Sequence, residues 1–153
     1  MTGAPSPSPL RSVRVSALPL HRAIYVSDAV GDARTSLLVL AEILGASMQN
    51  NRRDGLTGVL MRHEGRFLQA IEGRRSDVDR LIDRLRADPR HRDVRLLSDQ
   101  NVRERLFPQW PMTLVEMPSP ALPHMIGATL DQLNAAQAEA LLISASETFS
   151  LPA

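Results

Sequence analysis

The segment Arg66–Glu72 constrains the fold more than any other stretch of the chain. At strand period Phe67, Gln69 and Ile71 point one way and Leu68 and Ala70 the other, and both sets are largely apolar. A strand of that kind must lie in a sheet that is covered on both sides. The run Arg22–Ser27 repeats the pattern, with Ala23 and Tyr25 opposing Ile24 and Val26. A bare face would be an exposed hydrophobic patch, so each side of the sheet needs a partner layer.

The remaining periods supply the layers. Thr35 is placed to cap a helix through about Gln49, with Leu37, Leu40, Leu44 and Met48 as its buried stripe. Leu56–Met61 and Arg66–Glu72 read as strands joined by a hairpin turn around His63-Glu64-Gly65. Ser76 with Asp79 resembles a capping box opening a second helix, whose face is Val78, Leu81, Ile82 and Leu85 and which Pro89 ends. Strands over Val94–Leu97 and Met112–Val115 follow. The order βαββαββ predicts a ferredoxin-like α+β sandwich: a five-stranded mixed sheet, two helices on one face and a C-terminal helical extension. The other face falls to residues 118–150, where Pro118, Pro120 and Pro123 make a jointed connection. Leu130, Leu133, Ala136, Ala140 and Leu141 then recur at helical spacing. Either this segment folds back on the sheet or a second subunit covers it.

Composition removes several functions. The 18 basic residues, all Arg, nearly balance 17 Asp and Glu, so a formal net charge of +1 gives no bulk attraction to nucleic acid. No apolar run approaches the roughly 20 residues of a membrane helix. Without Cys there is no disulfide, no thiolate metal site, no cysteine nucleophile and no covalent flavin–cysteine photochemistry. The four His are scattered and no metal-ligand spacing is present. Residues 1–19, rich in Pro and Ser, read as a disordered tail; their apolar residues are too interrupted for a secretory signal, so a cytoplasmic location is expected. The domain proper is then 20–117.

Three polar residues sit where apolar ones belong. Gln69 lies between Phe67 and Ile71 on an inward face, where an unsatisfied amide costs about 1 to 3 kcal/mol. Tyr25, the only tyrosine, shares that face if the strand parities agree. Asn51 continues the spacing of Leu40, Leu44 and Ser47, so the first helix's stripe ends polar. Each has an ordinary explanation in a satisfied amide, a wetted hydroxyl or a helix cap. Together they aim three hydrogen-bonding groups into one space between sheet and helices.

The strings that carry these residues resemble a known family. Ile24-Tyr25-Val26-Ser27, Asn50-Asn51 followed by Gly55-Leu56-Thr57-Gly58-Val59-Leu60, Gly65 through Gly73, Asp88-Pro89-Arg90-His91 and Phe107-Pro108-Gln109-Trp110-Pro111-Met112 are similar, in order, to the BLUF domain, the blue-light sensor using FAD. The resemblance covers about residues 20–117 and implies a non-covalent flavin, FAD with FMN as the alternative, held between the two helices. It implies contacts from Tyr25, Ser47, Asn50, Asn51, Gln69, Arg84, Asp88 and His91, with Asn51 at the N3 hydrogen and C4 carbonyl of the ring. It further implies that light drives an electron and a proton from Tyr25 to flavin, after which the hydrogen bonds of Gln69 are rearranged. Trp110 and Met112 share parity with Leu114 and would carry the signal. Met61, Arg62 and Ala70 depart from the family pattern and are expected to loosen the pocket.

The expected function is a short photosensor with no enzymatic activity of its own, signalling to an unidentified effector protein on another chain, with homo-oligomerisation through the apolar sheet face. About 36 residues follow Met117, fewer than the roughly 50 of a small domain. The main rival is a ferredoxin-like flavin oxidoreductase in which Tyr25 and His91 act in the dark. A flavin-free interaction module is the second, and an RNA-binding sandwich has too few aromatics for base stacking.

Overall fold

A computed structural model describes residues 19–118, 125 and 127–149. Its strands are β1 (Leu20–Ala29), β2 (Thr57–His63), β3 (Arg66–Arg74), β4 (His91–Val102) and β5 (Thr113–Val115). Its helices are α1 (Leu37–Asp54), α2 (Arg75–Ala87) and α3 (Ala135–Phe149). The expected tail over 1–19 lies almost wholly outside the described residues, as do Pro120 and Pro123.

The sheet order is β4-β1-β3-β2-β5, antiparallel except for the parallel β2–β5 edge, which is the ferredoxin-like arrangement with a fifth strand added. The β2–β3 hairpin turns on Glu64 and Gly65, both at positive φ (51° and 76°), the backbone that a two-residue turn of right-handed twist requires. Register along β1 and β3 is unbroken and pairs Tyr25 with Gln69 directly. The β1–β4 pairing instead shifts twice, between Ile24 and Tyr25 and between Val26 and Asp28. Gly58 on β2 is required by packing, since a Cβ there would stand 2.1 Å from the Ala70 carbonyl oxygen.

The two strand parities divide the core. Ala23, Tyr25, Phe67 and Ile71 pack with Leu40 and Ile43 of α1, and with Val78, Leu81, Ile82 and Leu85 of α2. Ile24, Val26, Leu68 and Ala70 pack with Leu130, Leu133, Ala138, Leu141, Leu142 and Ala145. The C-terminal segment therefore folds back over the second face. Burying Leu141 and Leu142 there contributes about 1.5–3 kcal/mol each.

Several local expectations are corrected. Ser36, not Thr35, caps α1, accepting from the Val39 amide at 3.1 Å, and the helix runs past Gln49 to Asp54 before Gly55 closes it at φ 71°. Leu37 and Met48 are exposed and Ile43 is buried, so the α1 stripe is rotated from Leu37-Leu40-Leu44-Met48 toward Leu40, Ile43 and Asn51. Ser76 forms no capping box: α2 begins one residue earlier, and Asp77 at its positive end is held by Arg80 at 2.7 Å. On α3, Ala136 and Ala140 face outward while Ala138 and Ala145 face in. Met61 and Ala70 belong to the α3 side of the sheet, so they do not border the space beneath α1 and α2. Arg62 donates to the carbonyls of Ala33, Thr35 and Ser36 and ties β2 to the start of α1.

Candidate functional site

Tyr25 and Gln69 are cross-strand partners on the two central strands, facing α1 and α2. Direct partners of this kind have Cβ atoms about 4.5–5.5 Å apart, so the phenol and the amide share one small volume. The Tyr25 hydroxyl is buried with no hydrogen-bond partner. Burial pushes its pKa well above the ordinary value, and the nearby Arg84 guanidinium only partly opposes that shift. The phenol is therefore neutral at any physiological pH. The Gln69 amide nitrogen donates to the Met112 sulfur at 3.7 Å, a weak acceptor.

Asn51 lies fully buried in the last turn of α1, where its backbone carbonyl accepts from Gly55 and Leu56. Its side-chain nitrogen donates to the Pro111 carbonyl at 2.6 Å, leaving Oδ1 without a partner. Oδ1 and the second N–H of the amide are thus left for the pairing expected of it. Ser47, one turn earlier, and Asn50 beside Asn51 are half-buried.

The second helix and the segment after it supply the opposite wall. Arg84 does not pair with Asp88; its nearest carboxylate is Asp54 at 3.9 Å, and its buried Nη2 has no hydrogen bond. Asp88 is engaged by Arg90, which donates from its backbone nitrogen (2.9 Å) and its guanidinium (2.8–3.2 Å). Burial alone would raise the Asp88 carboxyl, but the Arg90 bonds outweigh it and hold the pKa below the ordinary carboxylate value. His91 is buried, its ring tilted against Phe67 with centroids 4.7 Å apart, and its Nδ1 lies 3.0 Å from Ser27 Oγ. Its Nε2 has no partner. Desolvation lowers its pKa; Asp88 opposes that and Arg90 adds to it.

Six buried side-chain polar atoms lack a partner among the described residues, and four of them belong to Tyr25, Asn51, Arg84 and His91. The other two, on Arg66 and Asp77, lie beside charged partners at 3.2 to 3.6 Å. A phenol hydroxyl, an amide oxygen, a guanidinium N–H and an imidazole nitrogen are donors and acceptors of the kinds that a flat, polar-edged ligand needs. The fit to a flavin is good on that ground. A cavity of about 910 Å³ opens alongside, between Leu44 and Met48 of α1, the segment from Trp110 to Pro118, and Ala145 of α3. None of the four orphaned atoms belongs to a residue of its lining.

Trp110 and Met112 were expected on one side of a regular strand, and the structure separates them. Met112 joins the core under α1 and α2, whereas Trp110 packs against the core under α3. The reason is Pro111, which has no N–H for the ladder: strand β5 starts only at Thr113, and alternation does not hold across the break. Sequence reasoning missed Ser27, Asp54 and Arg90. Ser27 was legible from parity, two residues after Tyr25; the other two are surface-type charges that no period distinguishes.

Comparisons with known proteins show a family and a fold. The sequence profile of BLUF, sensors of blue-light using FAD, matches residues 20–113. Photoactivated adenylate cyclase subunit beta of Euglena gracilis is 34% identical over 90 residues, which are 58% of this chain and 10% of that protein. The chain thus spans about a tenth of the length of the curated relatives it matches. Among solved structures, the BLUF protein BlrB in its dark state superposes with a TM-score of 0.68 at 26% identity, over 87% of this chain and 98% of that one. BlsA in its photo-activated state gives a TM-score of 0.74 at 24% identity, over 82% of this chain and 94% of that one, a likeness of fold.

Proposed function

Because the chain belongs to the BLUF family, sensors of blue-light using FAD, we propose that it holds FAD, or FMN, non-covalently beneath α1 and α2 and reports illumination through the hydrogen bonds of Gln69. The observation that supports this most is that Tyr25, Asn51, Arg84 and His91 each carry a buried polar atom without a partner, with Arg84 near the Tyr25 phenol and His91 against Phe67. Asn51 would receive a ring N–H on its free Oδ1, and Arg84 and His91 would meet ring carbonyls. Asp88, engaged by Arg90, would position that wall, and Ser47 and Asn50 would border the slot from α1. The bound flavin supplies a blue-absorbing excited state that takes up an electron.

The chain's own part follows from burial. A neutral, fully buried phenol that loses an electron becomes strongly acidic, so Tyr25 would give up the electron and then its proton, both to the flavin, and recover both. Gln69 is the neighbour that can register this passage. Its amide carries a donor and an acceptor on one planar end, and its weak hold on the Met112 sulfur makes reorientation inexpensive. A turned amide releases or re-engages Met112, and the adjoining Pro111 carbonyl is already tied to Asn51. The segment from Trp110 to Met112 thereby connects the site to the α3 side of the sheet, where an effector protein on another chain would read it.

The test is a light-minus-dark absorption spectrum of the flavin-loaded protein. Wild type should show a small reversible red shift, and Tyr25→Phe and Gln69→Leu should show none. A loaded wild type without the shift, or one that reduces its flavin with NAD(P)H in darkness, overturns the reading.

A further inference from the structure

Ser27 stands beside the Tyr25–Gln69 pair. It follows Tyr25 by two residues on β1 and therefore shares the side that faces α1 and α2. It is fully buried, and the bond to His91 Nδ1 is the hydrogen bond its hydroxyl makes among the described residues. Resting on the flavin reading of this site, we propose that Ser27 is a positioning residue that fixes neutral His91 as its Nε2–H tautomer, so that Nε2 is a hydrogen-bond donor to a carbonyl of the flavin.

A neutral imidazole carries one N–H. Placed on Nδ1, that hydrogen would go to Ser27 Oγ, and the serine's own O–H would be left in the protein interior without an acceptor. Nε2 would then be a bare acceptor. Placed on Nε2, the hydrogen leaves Nδ1 free to accept from the serine hydroxyl, both groups are satisfied, and one N–H remains at the orphaned position. The doubly protonated ring is disfavoured by burial against Phe67, with Arg90 adding to that effect and Asp88 opposing it. The serine thus converts an ambivalent ring nitrogen into a donor of fixed sense, which a carbonyl-bearing ligand requires and a donor-bearing one would clash with.

The tautomer is read directly by long-range proton–nitrogen NMR of the ¹⁵N-histidine-labelled full chain above neutral pH, with His91 identified by its loss in His91→Gln. Wild type should show the Nε2–H pattern with and without flavin. Ser27→Ala should lose it, to a mixture or to Nδ1–H, and should bind FAD about fivefold more weakly, the value of one neutral hydrogen bond. Ser27→Thr, which keeps the hydroxyl, should restore both. An Nδ1–H pattern in wild type, or an unchanged Nε2–H pattern in Ser27→Ala, overturns the proposal; should Ser27→Ala fail to fold, wild type and Ser27→Thr still decide it. Because the signature is visible without flavin, failure of wild type to bind flavin would sink the photosensor reading separately from this one.

Discussion

Glu72 offers a sharp test of how the site's outer frame is held. It is fully buried at the end of β3, three residues beyond Gln69. One carboxylate oxygen accepts from the Phe107 amide, and the other from the Leu106 amide and Arg22 Nε, all at 2.8 Å. Arg22, also buried, donates onward to the Glu104 carbonyl (3.0 Å) and reaches Glu139 on α3 (3.4 Å). The carboxylate therefore fastens the segment that leads into Trp110 and joins it to the C-terminal helix. Glu72→Ala would leave two backbone N–H groups without acceptors and a guanidinium buried without its main partner. Each orphaned amide costs about 1–3 kcal/mol, but relaxation and entering water make the sum sub-additive. The value for breaking a buried pair from one side, about 3–5 kcal/mol, is the better total. At this chain length that lowers the melting temperature by roughly 6–20 °C. Urea unfolding followed by circular dichroism and by the fluorescence of Trp110 measures it. Glu139→Ala is the control: that partner is one-third exposed, so its loss should cost under about 1 kcal/mol. If Glu72→Ala costs no more than Glu139→Ala, the network does not hold the segment as described.

Further outcomes follow from other positions. Gly58→Ala forces a methyl to within 2.1 Å of the Ala70 carbonyl, so β2 and β3 must separate; about 2–4 kcal/mol of stability should be lost in urea unfolding. His91 has its folded pKa below its ordinary value of 6.5, so the unfolded chain binds a proton there that the folded chain does not. Stability should accordingly fall as pH drops from 6.5 toward the depressed folded value, and His91→Gln should flatten that slope in pH-dependent unfolding. Met112→Leu removes the sulfur acceptor but keeps the volume. Its fold should survive, and its dark recovery after illumination should differ from wild type by several-fold in a time-resolved absorption trace.

The sheet was legible because two-sided strands leave little choice: the parities of Ala23-Tyr25 and Phe67-Gln69-Ile71 fixed which residues face α1 and α2, and Tyr25 and Gln69 proved to be direct partners. Asn51 was legible as a polar residue in an apolar period. What escaped depends on details that period does not encode. The stripe of α1 was misjudged by part of a turn because Leu37 and Met48, apolar by type, are exposed at its two ends. Arg84 and Asp88 stand at a pairing distance in sequence, but each found a nearer partner outside that spacing, Asp54 and Arg90. Trp110 and Met112 parted because Pro111 breaks the alternation on which their grouping relied.

The reorientation of the Gln69 amide is tested most directly by the infrared difference spectrum of the flavin-loaded full chain on blue illumination. The account predicts that the flavin C4 carbonyl stretch moves to lower frequency as a new hydrogen bond reaches it, reverts in darkness, and does not move in Gln69→Leu. A carbonyl band that stays in place in wild type, or that moves equally in Gln69→Leu, contradicts it.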